Sequence, residues 1–230
     1  PAALVRGLRW EAPPGRARDL VRSRAEDLFP WSPLEAISAR RTVRAFGPGE
    51  VDPERIEEAV AAACTAPAPH HTRPWLFVAL RSQGARRRLT DAMASAWRGD
   101  LIRDGVPQET IVGRLKRSDE VLGAASAIIV PCVGFEGAHT YPDPERIGAE
   151  REMFLLSAGA AIQNLLLALS AQGLGSAWMS STLFCREETR AALGLGGEWY
   201  PLGAVAVGRT PDGAASPRPP LDLSDHLRFG

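Results

Sequence analysis

The sequence predicts an α+β domain, and three observations carry that reading. Four strand-like runs, "PWLFVALR", "AIIVPCV", "GLGSAWMSS" and "PLGAVAVG", are separated by helical stretches. They are few in number, which suggests an α+β layer rather than a doubly wound parallel sheet. A 20-residue apolar stretch, Met153 to Gln172, is long enough to cross a membrane but carries Ser157, Gln163, Asn164, Ser170 and Gln172, has no flanking aromatic belt and stops at a Gly-rich turn. Such a stretch reads as a helix buried on nearly every face. Finally, two segments open with a capping residue followed by proline, the start signature of a helix.

Residues 1–30 are rich in Arg, Pro and Gly without a sustained period, and read as a tail and linker; the organised domain is expected over 31–230. "SPLEAISARR" offers Ser32 as cap, Pro33 at the first helical position and Glu35 at the third. "VDPERIEEAVAAACTA" repeats the pattern with Asp52 and Pro53, and sets Ile56, Ala59, Val60 and Ala63 on one face. After the strand "PWLFVALR" come two amphipathic helices, near 85–103 and 107–122, split by "DGVP". "AIIVPCV" is a second buried strand, "GFEGAHTYPDPER" a long loop, and the apolar helix follows. A turn and strand, a short helix near 186–193 and a last strand complete the domain. The Pro-rich end after Gly208 is too long for an idle turn and is expected to wrap over another surface.

Lys+Arg and Asp+Glu both number 27 in the 230 residues, so the chain has no bulk attraction for nucleic acid and any anion must be met by a local cluster. Neither a nucleic-acid nor a membrane partner is expected. Three widely spaced cysteines, Cys64, Cys132 and Cys185, argue against a disulfide framework or structural zinc and point to a reducing cytoplasm. The chain opens without Met or a signal pattern, which is expected of a piece of a longer protein.

Three stretches hold candidate chemistry. "ARRTVRAF" sets Arg40, Arg41 and Arg44 around the Thr42 hydroxyl. Three guanidiniums in five residues repel one another unless an anion sits among them, and their forks match phosphate oxygens, though a solvated basic corner has the same composition. "AQGLGSAWMS" places Gly173 and Gly175 between helix and strand. It follows a helix and lacks G-x-G-x-x-G spacing, so it is no dinucleotide fingerprint; it serves as a helix cap and can bring bare backbone close to a flat ligand. "TAPAPHHTRPW", Thr65 to Trp75, is a rigid loop with a cationic tip, open to three readings: metal site, catalytic base, or cradle for an anionic planar ligand. His70 and His71 are adjacent, only His139 and His226 lie elsewhere, and no H-x-x-x-H or C-x-x-C accompanies them, so no metal is expected. There is also no G-x-S-x-G for nucleophilic chemistry.

Taken together these stretches resemble the nitroreductase family of FMN-dependent oxidoreductases over about Trp31 to Leu223. The family's "R-R-S-x-R-x-F" segment stands here as "RRTVRAF", with Thr42 for Ser, and its "N-x-Q-P-W" loop as "HTRPW", with His71 for Asn and Arg73 for Gln. The apolar helix, the "GLGS" turn, "AVAVG" and Arg218 in "PRPPL" follow in family order. Within that family, "APAPHHTRP", "WRGDLIRDGVP" and "GAHTYPD" are similar to the flavin domain of the bifunctional coenzyme F420 biosynthesis proteins, in which it follows an F420-0:γ-glutamyl ligase. "PAALVRGL" is similar to the last strand of that ligase, so residues 1–30 are expected to be the tail of an upstream ligase domain plus a linker.

The resemblance implies a central, mostly antiparallel sheet flanked by helices, in an intertwined homodimer with FMN at the interface. It implies Arg40, Arg41, Thr42, Val43, Arg44 and Arg218 around the FMN phosphate, and Ala68, Pro69, His71, Gly175, Met179 and Ser180 at the flavin ring. Arg73, His70, Asp100 and His139 are the implied contacts for coenzyme F420 or its dehydro precursor, with Arg73, His70 and His71 as catalytic candidates. The implied activity is reduction of the enolpyruvyl double bond of dehydro-F420-0 to give F420-0, together with F420 binding that supports polyglutamate extension by the ligase. The alternatives are a non-redox F420-binding module and a broad NAD(P)H-dependent nitroreductase. Cationic "HHTR" in place of the family's amides favours a polyanionic deazaflavin over neutral nitroaromatics.

Overall fold

The structure, a computed structural model, describes residues 33–211, 213 and 219–230. The expected tail at 1–30, the Ser32 cap and Arg218 lie outside the described residues. In chain order the elements are α1 (Pro33–Ala39), α2 (Pro53–Ala63), a 3-10 turn (Pro69–His71), β1 (Trp75–Leu80), α3 (Gln83–Arg103), α4 (Gln108–Ala124), β2 (Ala127–Val133) and α5 (Pro144–Ala171). Then come β3 (Leu174–Met179), a 3-10 turn (Ser181–Leu183), α6 (Arg186–Leu193), β4 (Tyr200–Pro201), β5 (Ala204–Arg209) and a last 3-10 turn (Leu223–Asp225).

The sheet has the order β1-β2-β5-β3, with β4 also on β2, and every pair is antiparallel. Side chains alternate across a strand, and both faces of the central strands are covered. Ala127, Ile129 and Val133 of β2, with Val205 and Val207 of β5, pack on α5 and α2. Ile128, Val130 and Cys132, with Ala204 and Ala206, face Leu89 and Met93 of α3 and Leu122 of α4. That is why "AIIVPCV" is apolar at every position instead of alternating. Pro131 is accommodated in the sheet because its nitrogen, on the same edge as its carbonyl, faces the break between β4 and β5. There Leu202 N–H donates to Pro131 O at 2.8 Å and Gly203 turns the chain at φ 137°.

Two readings differ from expectation: "PLGAVAVG" is not one strand but is broken at 202–203 into β4 and β5, and the apolar helix begins earlier. α5 starts at Pro144, nine residues before Met153, because Asp143 accepts from Arg146 N at 2.9 Å and Pro144 fills the first position. The stretch "DPERI" at 143–147 is identical to the cap of α2 at 52–56, where Asp52 accepts from Glu54 N at 3.0 Å. α5 is long and apolar enough to cross a membrane, yet Phe154, Ala161, Leu165 and Leu169 are fully buried against the sheet, as a core helix requires. Truncating Phe154 to Ala would cost about 3–5 kcal/mol.

Two parts of the chain bury nothing of their own. α1 has no buried residue, leaving Leu34 76% and Ile37 46% exposed. All of 219–230 is exposed, Phe229 at 92%.

Candidate functional site

The cationic segment is a strap across the sheet edge. α1 ends at Ala39, and Val43 N–H then donates to Ser176 O of β3 at 2.9 Å, while Gly47 bridges Arg209 at the end of β5. The extended chain alternates: Val43 is buried against Gly175, whereas Thr42 and Arg44 point to solvent. Gly208 makes room for Phe46 in the same way; a Cβ there would lie 2.8 Å from the Phe46 ring. Arg40 and Arg41 are half-buried, and the Arg41 guanidinium turns back onto the carbonyls of Ser38 and Arg40, where it terminates α1. Arg44 makes no hydrogen bond or ion pair with the described residues. Gly175, expected as open backbone for a flat ligand, is closed on its Cα side by Val43 and Thr210.

The loop after α2 is shaped by its own hydrogen bonds and by a carboxylate from α5. Thr72 closes the turn twice on Pro69 O, through its N–H at 2.9 Å and its hydroxyl at 2.7 Å. His70 and His71 take left-handed backbone, φ 52° and 55°. The His70 ring meets Glu150 Oε1 through Nε2 at 2.7 Å and stacks on His139 with centroids 3.9 Å apart and planes at 22°. Glu150 also accepts from His139 N–H at 2.9 Å, and only 4% of it is exposed. The His139 N–H, helped by the His70 hydrogen bond and by both imidazoles, holds its carboxyl below the usual carboxylate range against the opposing effect of burial. Glu150 is the residue sequence reasoning missed. Pro69 belongs to this turn and Ala68 packs toward Trp75 and Ala161, while His71 and Arg73 are exposed.

A third group lies elsewhere. Asp100 and Ser180 line a cleft of about 1040 Å³ between α3, α4 and the turn at 181–185, together with Trp97, Phe184 and Cys185. Asp100 is ion-paired with Arg103 one turn along α3. Met179 ends β3 opposite Ala204. Within one chain, therefore, the structure joins the strap to Gly175, His70 to His139, and Asp100 to Ser180.

An antiparallel sheet with helices on both faces and an arginine strap along its β3 edge defines an α+β architecture rather than a doubly wound nucleotide fold. The chain belongs to the nitroreductase family, whose model matches residues 37–209. An Archaeoglobus fulgidus protein described as an NADH dehydrogenase/NAD(P)H nitroreductase is 26% identical over 160 residues, 70% of this chain and 72% of that one. Nitroreductase NfnB of Mycolicibacterium smegmatis is 28% identical over 213 residues, covering 84% of this chain and 90% of its own. Among solved structures, a BluB-like flavoprotein from Clostridium difficile superposes with a TM-score of 0.71 at 21% identity, over 86% of this chain and 99% of that one. The FMN-dependent nitroreductase NfnB from Mycobacterium smegmatis, solved with NADPH, superposes with a TM-score of 0.63 at 23% identity, over 90% and 98%. These structural likenesses bear on the fold.

Proposed function

We propose that the domain is an FMN-dependent oxidoreductase, working as a homodimer, whose substrate is the anionic deazaflavin precursor dehydro-F420-0. The observation that carries the flavin part is the strap. It keeps the Thr42 hydroxyl and the Arg44 guanidinium on the solvent side, beside half-buried Arg40 and Arg41, and fixes their spacing through Val43 and Gly175. Arginine forks and a hydroxyl on a rigid backbone fit a phosphate monoester. Membership of the family and the cofactor printed for NfnB support the same cofactor here. FMN, when bound, supplies the hydride chemistry; the chain binds and orients it. Arg218 is proposed to close over the phosphate.

The dimer is supported by α1 and by 219–230, which leave Leu34, Ile37 and Phe229 exposed on their own chain. Residues from a second copy would also bring the strap, the loop and the cleft into one site, with Ala68, Pro69, His71, Met179 and Ser180 toward the flavin. For the substrate, Arg73, which is exposed, is the proposed partner of a carboxylate on which negative charge builds as the enolpyruvyl double bond is reduced. His70 is tied to Glu150 and so acts as a positioning residue for the turn. Asp100 and His139 remain the weaker proposed contacts. All three cysteines are free thiols, in keeping with the cytoplasm we propose as the compartment. An upstream γ-glutamyl ligase domain is part of the same proposal.

A second reading, a broad NAD(P)H-dependent nitroreductase, is favoured by the printed names of both relatives. Reconstituted protein, FMN and a reductant, incubated with dehydro-F420-0 and separately with a nitroaromatic, distinguish the two. Our reading expects product heavier by two hydrogens from dehydro-F420-0. Turnover of the nitroaromatic alone favours the second reading. F420 binding without any turnover favours a non-redox module that serves the ligase.

A further inference from the structure

His70, His139 and Glu150 come from three separate segments: the turn after α2, the loop after β2 and the first third of α5. One ligand atom from each lies within 4.8 Å of the others. Two imidazoles and one carboxylate form a ligand set that suits zinc and similar borderline divalent cations, and leave a fourth position for water. Both hydrogen bonds to Glu150 end on Oε1, so Oε2 is left to take a further partner. Glu150 is only 4% exposed, and the His70 ring lies 6.3 Å from that of Phe154, which packs on Phe135, a low-dielectric surround in which an added cation would be strongly attracted. Both histidines are exposed, so a cation can enter from solvent.

We propose that these three side chains bind a divalent cation of the zinc type, which clasps the Pro69–His71 turn and the loop at 134–143 to α5. Ligands held at about 2.0–2.1 Å from a tetrahedral metal sit about 3.3 Å apart. Since all three atoms lie within 4.8 Å of one another, no pair has to close by more than roughly 1.5 Å. His139 is exposed, so its side chain can supply that movement while the loop backbone at Gly137 stays against Thr72. Metal binding replaces the His70 Nε2 contact with Oε1 by two metal–ligand bonds, and any proton on that nitrogen leaves to solvent. Neutral imidazoles and one carboxylate leave a net single positive charge, which is balanced by an anion at the fourth position, or by hydroxide once the water bound there releases a proton to solvent. The arginine strap takes no part in this site, so Co2+ binding is read separately from FMN binding, although the Pro69–His71 turn and His139 also belong to the proposed flavin and substrate contacts.

The test uses the full chain, freed of metal with a chelator and titrated with Co2+, whose visible d–d absorption reports coordination. One saturable site per chain is expected, and Zn2+ should displace the Co2+ and raise Tm. His139→Ala and Glu150→Gln should each weaken Co2+ by more than about tenfold, the loss seen when even outer partners of a metal are removed. His226→Ala should bind as the wild type does. Should Glu150→Gln fail to fold, exposed His139 decides alone. Absence of saturable d–d absorption, or wild-type affinity in His139→Ala, overturns the proposal and leaves the three residues as a hydrogen-bonded tie.

Discussion

Gly175→Ala is expected to damage the strap through packing alone. Its φ is not in the left-handed region, so alanine can adopt the backbone there. The added Cβ would sit 2.8 Å from Val43 Cγ1, 3.0 Å from Val43 Cβ and 2.9 Å from Thr210 Oγ1. Ordinary carbon contacts lie at about 3.5–4.0 Å. Thr210 is exposed and its hydroxyl can rotate away. Val43 cannot, being buried and held by the bond to Ser176 O. Overpacking of this kind costs about 1–3 kcal/mol. Val43→Ala alone deletes two methyl groups and should cost about 1.6 kcal/mol at 0.8 per carbon. In the double variant the 2.8 Å clash with Cγ1 is gone and only the 3.0 Å approach to the retained Cβ remains, so its cost should lie well below the sum of the two single costs. The expected coupling is then about 1–3 kcal/mol, read from urea unfolding at constant m. FMN affinity should fall in Gly175→Ala and recover in the double variant. Strict additivity of the two single costs, to within about 0.3–0.5 kcal/mol, refutes the contact.

Arg44→Ala should weaken FMN by about 1.5–3 kcal/mol, the scale of a hydrogen bond to a charged group, and leave riboflavin affinity unchanged by fluorescence titration. Equal losses for both ligands would move Arg44 away from the phosphate. Light scattering of the flavin-loaded protein should give twice the 24.7 kDa chain mass, and deleting 219–230 should loosen the pair; a flavin-loaded monomer contradicts the interface reading. Burial raises all three thiols, Cys132 to about 12, but Cys64 alone is exposed, so a neutral thiol reagent should modify one cysteine before unfolding and three after it. The Arg146 N–H and guanidinium hold Asp143 below the usual carboxylate range, so its stabilising effect is full above about pH 4, the unfolded value, and fades as pH falls through the lower folded value. The stability difference between wild type and Asp143→Asn should therefore vanish in acid, and a difference that persists there places the effect outside ionisation.

Local rules made most of the fold legible. The apolar run "AIIVPCV" requires cover on both faces, and α5 and α3 supply it. The start of α5 was hidden by reading two prolines as a loop, although "DPERI" had already marked the start of α2. The strap residues were legible as a phosphate cluster by composition, but their inward and outward sense depends on Val43 meeting Gly175, a contact 132 residues apart in the chain. Glu150 was invisible for the same reason. It sits among Glu145 and Glu152 on one helix, and only the fold carries it across 80 residues to His70.

The left-handed turn also divides the cationic loop into residues whose type the backbone constrains and residues it does not. Two successive non-glycine residues at φ 52° and 55° are each disfavoured by roughly 1–2 kcal/mol. Asn, Asp and His tolerate that region better than other side chains. His71 occupies the position where the family resemblance places Asn, and both types satisfy the same backbone demand, so a charge at that position is not needed to account for the histidine. His70 has its own reason in Glu150 and the stack on His139. Arg73 has neither: its backbone is not left-handed, its side chain is exposed, and no hydrogen bond or ion pair to the described residues holds it. Of the cationic residues in "HHTR", Arg73 is thus the one that neither backbone nor packing explains. If the substrate is the anion proposed above, Arg73→Gln should weaken its binding while leaving FMN affinity and the turn unchanged, and equal substrate affinity in the variant removes Arg73 from that role.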